Sequence, residues 1–247
     1  MEEIELERIP MNPEEFLERV RREKKSTLIV VACSGSKRSD DECASVVNYL
    51  GLEVQERTLA ELYPSVSDSV KAFRVCTQIH HPLAIKKETK FYPSFLRYSG
   101  YFYKSIQNAD FKIWQDIERE NWSILILSAY YGFLLAQENI QYYNLQISKL
   151  KQDCERKLAT ILRSYLEANS RIAKVVFFTS QQYTKPFIGK SKKDISRLSL
   201  IDELGKEIVG PYGKDFYSLA GRLFYALVSG EAISKIDSIE EIALRRI

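Results

Sequence analysis

Cys33, Ser34, Ser36 and Lys37 stand together in the run Cys33-Ser34-Gly35-Ser36-Lys37-Arg38. A thiolate is a strong nucleophile, a nearby lysine ammonium lowers the pKa of a thiol, and hydroxyls donate hydrogen bonds to a developing anion. The set suits covalent attack on an electrophilic carbon, with Cys33 as nucleophile and Lys37 as its activator or as a second nucleophile. It also suits the simpler task of holding an anion. A free cysteine in this place can equally be a small buried hydrophobe.

The elements around this loop are legible. Thr27-Leu28-Ile29-Val30-Val31-Ala32 is an uninterrupted apolar run, which predicts a strand covered on both faces. Ser39 to Gly51 predicts a helix, with a Ser/Asp cap, acids in its first turn and glycine at its stop. Strand, polar turn and helix therefore follow in order, and a helix N-terminus facing the turn would favour an anion or a thiolate. Two further runs end the same way. Ser123 to Leu127 leads into Ser128-Ala129-Tyr130-Tyr131-Gly132, and Lys174 to Phe178 leads into Thr179-Ser180-Gln181-Gln182-Tyr183. Parallel sheets bind ligands at the carboxyl ends of their strands. Cys33, Ser34, Ser36, Lys37, Ser128, Tyr131, Ser180 and Tyr183 are accordingly expected around one cleft, although small polar residues after strands are also ordinary turn formers.

Composition narrows the partners. The 247 residues carry a net charge of +3 and are 45% hydrophobic, enough for a sizeable core. No apolar stretch approaches the ~20 residues that span a bilayer, and the acidic start Met1 to Arg8 lacks the layout of a signal peptide. A cytoplasmic location without membrane contact is the expectation. Four cysteines at 33, 43, 76 and 154, with no Cys-x-x-Cys pair, suggest reduced thiols. His80-His81 is the one histidine cluster, and adjacent histidines cannot easily share an ion with distant cysteines, so neither metal nor cofactor is expected. Lys86 and Lys87, and again Lys190, Lys192 and Lys193, form cationic clusters near aromatic residues. Cations that meet phosphates beside rings that stack on bases fit a nucleic-acid surface, while short charge runs also occur on any solvated face.

The whole chain reads as a single α/β domain over residues 1–247, with an inserted excursion at about 52–90 that contains a short helix. Asn12-Pro13-Glu14-Glu15 opens a helix. Phe95 to about Glu120 has helical spacing with a possible break at Asn108-Ala109-Asp110, Leu150 to Ala168 is amphipathic, and a last helix follows Gly210-Pro211-Tyr212-Gly213. Leu52 to Thr58 and Tyr143 to Ile147 are weak strand candidates.

Leu127-Ser128-Ala129-Tyr130-Tyr131-Gly132-Phe133-Leu134, with Glu138, Ile140, Tyr143, Leu145 and Ile147 after it, resembles a segment of the YaaA peroxide-stress family and its relatives. Ala136 and Tyr142 stand where that pattern has prolines, and Glu138 where it has aspartate. Phe91-Tyr92-Pro93-Ser94-Phe95-Leu96-Arg97 is similar to a second segment of those relatives, and Cys33-x-x-x-Lys37 resembles the loop of the archaeosine synthase domain. The resemblance implies a three-layer fold, a mainly parallel sheet with helices on both faces, similar to uracil-DNA glycosylases. It adds Tyr92, Ser94, Gly132 and Tyr143 to the candidate substrate-binding residues, and implies work on DNA or tRNA. Relatives of that group act on 7-cyano-7-deazaguanine, whose nitrile carbon suits thiolate attack by Cys33 with Ser34, Ser36 or Ser128 as donors. Two function classes follow: an enzyme that modifies a nucleic-acid base, and a non-catalytic nucleic-acid-binding protein that uses the same residues.

Overall fold

Every residue of Thr27–Ala32 and of Ser123–Ser128 is buried, as are all but the first of Lys174–Phe178. The uninterrupted apolar runs thus form strands covered on both faces. The computed structural model describes residues 8–51, 57–107, 110–188, 193–202, 204, 206–209, 213–231, 239 and 241–247. Lys190 and Lys192, most of the strand candidate at 52–58 and the Gly210-Pro211-Tyr212 turn lie outside them.

The strands are β1 (Arg8–Met11), β2 (Thr27–Ala32), β3 (Tyr92–Pro93), β4 (Ser123–Ser128), β5 (Gly132–Leu134), β6 (Asn139–Ile140), β7 (Lys174–Phe178), β8 (Asp194–Ile201) and β9 (Glu241–Arg246). The helices are α1 (Pro13–Arg22), α2 (Asp40–Leu50), α3 (Leu59–Leu62), α4 (Pro64–His80), α5 (Ser94–Arg97), α6 (Tyr101–Gln107), α7 (Ile113–Arg119), α8 (Gln152–Ala168), α9 (Gln181–Thr184) and α10 (Lys214–Ser229). They divide between two units. The first comprises residues 1–30, 104–123 and 171–247, and the second residues 31–103 and 124–170.

In the first unit the strand order is β1-β9-β8-β7-β2. β7 pairs parallel with β8, while β8 with β9 and β9 with β1 pair antiparallel. The Ala173 N–H donates to the Ser26 carbonyl, which aligns the starts of β7 and β2 and makes that pair parallel as well. The core is aromatic: Phe178 meets Phe16 of α1 at 6.0 Å and Phe224 of α10 at 6.2 Å, and Trp114 of α7 meets Phe224 at 5.5 Å. α1 and α10 follow the sequence closely. Asn12 accepts the Glu15 N–H at 2.8 Å ahead of Pro13, and α10 buries Phe216, Leu219, Leu223, Phe224 and Leu227. β8 and β9 carry charged and polar residues among apolar ones, so their sequence does not announce them as strands.

In the second unit the order is β2-β4-β5, and β4 and β5 pair antiparallel. The Cys33 N–H donates to the Leu127 carbonyl at 2.9 Å, so the carboxyl ends of β2 and β4 lie side by side. Gly132 closes the turn between β4 and β5 at φ +79, and a Cβ there would sit 3.0 Å from the Phe73 ring. Only glycine meets both conditions without strain. The excursion holds more helix than its sequence suggests: α4 runs for 17 residues, buries Val66, Val70 and Phe73, and packs on α8, where Ser69 meets Ser164. Phe95 to Glu120 becomes three helices: the Tyr98 to Gly100 segment parts α5 from α6 by pairing with the loop after β2, and α6 and α7 lie on either side of the expected break at Asn108-Ala109-Asp110, of which residues 108 and 109 lie outside the described residues. Tyr143 to Ile147 is not a strand but a bridge at Tyr143 to Ile85 followed by a 3-10 turn. One cysteine expectation is corrected. Cys76 of α4 and Cys154 of α8 form a disulfide across 78 residues, while Cys33 and Cys43 remain thiols. The spacing of the pair is too long to be read as a motif, and only the packing of α4 on α8 brings them together. Among the described residues no helix is long and apolar enough to cross a membrane.

Candidate functional site

The loop after β2 is fixed from two directions, and both belong to the second unit. Lys37 and Tyr98 form an antiparallel bridge, the Ser99 N–H donates to the Ser36 carbonyl, and the Arg38 N–H donates to the Arg97 carbonyl. Gly100 passes so close to Ser34 that a Cβ on it would meet the Ser34 Oγ at 2.1 Å. Ser34 Oγ accepts the Ser36 N–H at 3.1 Å, and its carbonyl accepts from the Lys37 Nζ at 2.9 Å. The loop is therefore rigid at the places where its side chains matter.

Arg97 provides the anchor. Its side chain is fully buried, pairs with Asp40 at 2.8 Å, and also donates to the carbonyls of Arg38 and Lys90. The Tyr92 ring stands over its guanidinium at 5.0 Å. Arg38 donates to the Leu96 and Tyr98 carbonyls. The two arginines bind the Cys33 loop to α5. Sequence reasoning gives Arg97 no part in the site beyond closing the Phe91 to Arg97 segment, and its function is to position.

Lys37 is enclosed by tyrosines. Its Nζ lies 3.9 Å from the Tyr143 ring centroid, 5.7 Å from Tyr98 and 5.9 Å from Tyr142. Burial pulls its pKa from 10.5 down to about 8, with the interaction with Cys33 working in the opposite direction. Near neutral pH the amine is thus within reach of deprotonation. Behind it, Ser128 Oγ accepts the N–H groups of Tyr130 and Tyr131 and donates to the Tyr143 hydroxyl at 3.0 Å. The Tyr143 hydroxyl also lies 3.0 Å from that of Tyr98 and is hydrogen bonded to the Cys33 side chain. Since Ser128 uses its one proton on Tyr143, the phenolic proton can go to sulfur or to Tyr98. Burial holds both phenols well above the usual tyrosine range, so they stay protonated donors.

Cys33 thus sits at the end of a short chain, Ser128 to Tyr143 to sulfur, beside the Lys37 ammonium, with 9% of its surface exposed. The helix that follows contributes less than expected. α2 starts six residues after the loop opens, at Ser39 and Asp40, and its capping box is closed: Ser39 Oγ takes the Glu42 N–H and Glu42 takes the Ser39 N–H. The local charge on Cys33 comes from Lys37.

The remaining expected residues divide by role. Tyr131 lies within the same cluster, its ring 5.6 Å from that of Tyr143 and its hydroxyl accepting the Gln141 N–H; burial pushes its pKa up to about 12. Ser94 donates to the Leu135 and Ala136 carbonyls and staples a turn, and Gly132 serves the hairpin. Ser36 is exposed at the rim, as are Lys86, which lies 4.6 Å from the Tyr142 ring, and Lys87. Ser180 and Tyr183 belong to the first unit, where Ser180 bonds the Tyr217 hydroxyl; Lys193 belongs there too. Glu138, known in the sequence only as part of a motif, is a buried carboxylate that accepts the Leu59 N–H and pairs with Arg74. Arg74 also donates to the Tyr131 carbonyl, so this pair links α4 to the tyrosine cluster.

No curated protein matches the chain. The family model described as peroxide stress protein YaaA matches residues 27–204, which span the Cys33 loop, the tyrosine cluster and both flanking strands, and the chain belongs to that family.

Proposed function

We propose that the second unit modifies a base in nucleic acid at an electrophilic carbon, with Cys33 as the nucleophile. The observation that carries this reading is the joint placement of a thiol with 9% of its surface exposed, a lysine with a pKa lowered to about 8 and a tyrosine hydroxyl bonded to the thiol. For a nitrile such as that of 7-cyano-7-deazaguanine, the Cys33 thiolate adds to the carbon and one C–N π bond opens. The Lys37 ammonium or the Tyr143 hydroxyl gives its proton to the nitrogen, and a thioimidate results. Water then adds to the carbon, the C–S bond breaks, the thiolate leaves and an amide remains. The net change is addition of one water. Lys37, once neutral, could add in place of the thiol to give an amidine. Tyr131 and Tyr92 supply ring faces for the base, and Lys86 and Lys87 supply phosphate contacts.

The test is incubation of the chain with an oligonucleotide or tRNA carrying the nitrile base, followed by nucleoside mass spectrometry. The expected product is heavier by one water, and Cys33→Ala abolishes it while binding persists. A second reading, binding without chemistry, is favoured by the exposed Lys86, Lys87 and Lys90, whose segment pairs with Tyr142 through the Lys86 N–H and the Tyr142 carbonyl. It predicts that Cys33→Ala leaves every measurable property of the complex unchanged and that no product forms.

A further inference from the structure

His80 stands four residues after Cys76 on α4, so the two share one helix face. Packing of α4 against α8 adds Cys154 to that face. The ligand atoms of Cys76, His80 and Cys154 all lie within 4.8 Å of one another, the cysteines buried and the histidine exposed. A tetrahedral zinc site, with Zn–S near 2.3 Å and Zn–N near 2.0 Å, needs such atoms roughly 3.5–3.8 Å apart. The three ligand atoms are thus clustered closely enough that opening the disulfide, which lets the two sulfurs separate, would bring them to that spacing, and the exposed imidazole gives an ion a way in. None of them takes part in the Cys33 cluster.

We propose that the Cys76–Cys154 disulfide is the oxidised form of a metal site: the reduced pair, together with His80, binds a soft divalent cation of the zinc class, and hydrogen peroxide expels it. Two thiolates and one imidazole select zinc or cobalt over magnesium or calcium, and three protein ligands leave the fourth position to water. Reduction by two equivalents of a small thiol breaks the S–S bond and yields two cysteine thiols and one small-molecule disulfide. The incoming ion displaces the two thiol protons. In the reverse direction one thiolate attacks the peroxide, the O–O bond breaks, and a sulfenic acid and water form. The second thiolate displaces the sulfenic oxygen as water, the S–S bond forms, and the ion leaves with no anionic ligands. Overall, one peroxide and two protons become two waters. α4 and α8 stay cross-linked in both states, by the disulfide in one and by the ion in the other.

The full chain is reduced with a phosphine, freed of it without air, and titrated with cobalt. One cobalt per chain is expected, with a thiolate-to-cobalt charge-transfer band and the visible bands of tetrahedral cobalt, both erased by zinc. His80→Ala, an exposed position that leaves the fold intact, should weaken cobalt binding at least tenfold. Cys76→Ser and Cys154→Ser together should remove the charge-transfer band, Cys33→Ala should leave cobalt binding as it is in the parent, and the oxidised chain should bind no cobalt. Hydrogen peroxide added to the zinc-loaded chain should release one zinc as two alkylatable thiols disappear. The proposal is overturned if the reduced chain shows no such band, if His80→Ala binds cobalt as tightly as the parent, or if peroxide leaves the zinc bound.

Discussion

Replacing Lys37 by methionine removes a buried ammonium while keeping the length of the side chain, and it has a calculable consequence. The folded chain holds the Lys37 proton with a pKa of about 8, while the unfolded chain holds it at the ordinary 10.5. Below pH 8 both states carry the proton, and burial of the charge lowers stability. As pH rises from 8 toward 10.5 the folded state loses the proton while the unfolded state keeps it, so the penalty is relieved and stability increases. Each unit of that window is worth about 1.4 kcal/mol, so the full shift corresponds to about 3 kcal/mol and the part between pH 7 and 9.5 to about 2 kcal/mol. Urea unfolding of the parent and of Lys37→Met at matched pH reads this contribution, and the same pair compared with Cys33→Ala in both chains separates it from the Cys33 thiol that Lys37 also influences. The parent should gain about 2 kcal/mol on the variant between pH 7 and 9.5. A difference that stays level across that range would mean that Lys37 is solvated in the folded chain, and the reading of it as an amine poised for chemistry would fail with it.

Three other outcomes follow from particular contacts. In the native chain Cys33 should alkylate faster than Cys43, which is fully buried and whose thiol is pushed up by burial, and Cys76 and Cys154 should react only after reduction; Lys37→Met should slow Cys33, as read by peptide mass spectrometry. Gly132→Ala should cost roughly 2 kcal/mol, from positive φ and the close approach of Phe73, and should lower the melting temperature by roughly 4–8 °C in calorimetry. Charge reversal of Lys86, Lys87 and Lys90 to Glu should weaken nucleic-acid binding and flatten the plot of log affinity against log salt by roughly 0.9 for each duplex phosphate that is no longer neutralised; an unchanged slope would return these lysines to plain solvated surface.

Much of the fold is written in local sequence. Runs such as Thr27 to Ala32 have no polar face to show to water, so they had to become strands with cover on both sides. Asn12-Pro13 and the Ser39/Glu42 box fix helix starts through hydrogen bonds that span three residues, and glycine at 51 supplies a left-handed stop. The Cys33 to Lys37 loop and Ser128 are equally visible, since each directly follows or ends such a strand. What the sequence could not hold was any contact made between distant segments. The neighbouring carboxyl ends of β2 and β4 bring Cys33 to Ser128, and Tyr98 and Tyr143 arrive from separate segments to surround Lys37; no spacing in the chain encodes that meeting. The lowered pKa of Lys37 is likewise a property of enclosure, which exists only after the tyrosines have packed. Arg97 looks like surface charge and is instead fully buried, because Asp40 and two carbonyls from elsewhere are there to receive it. Cys76 and Cys154 read as unrelated thiols for the same reason. Local sequence determined which groups could react, and tertiary packing decided which of them meet, because hydrogen bonds, ion pairs and desolvation all act through distances in space rather than separations along the chain.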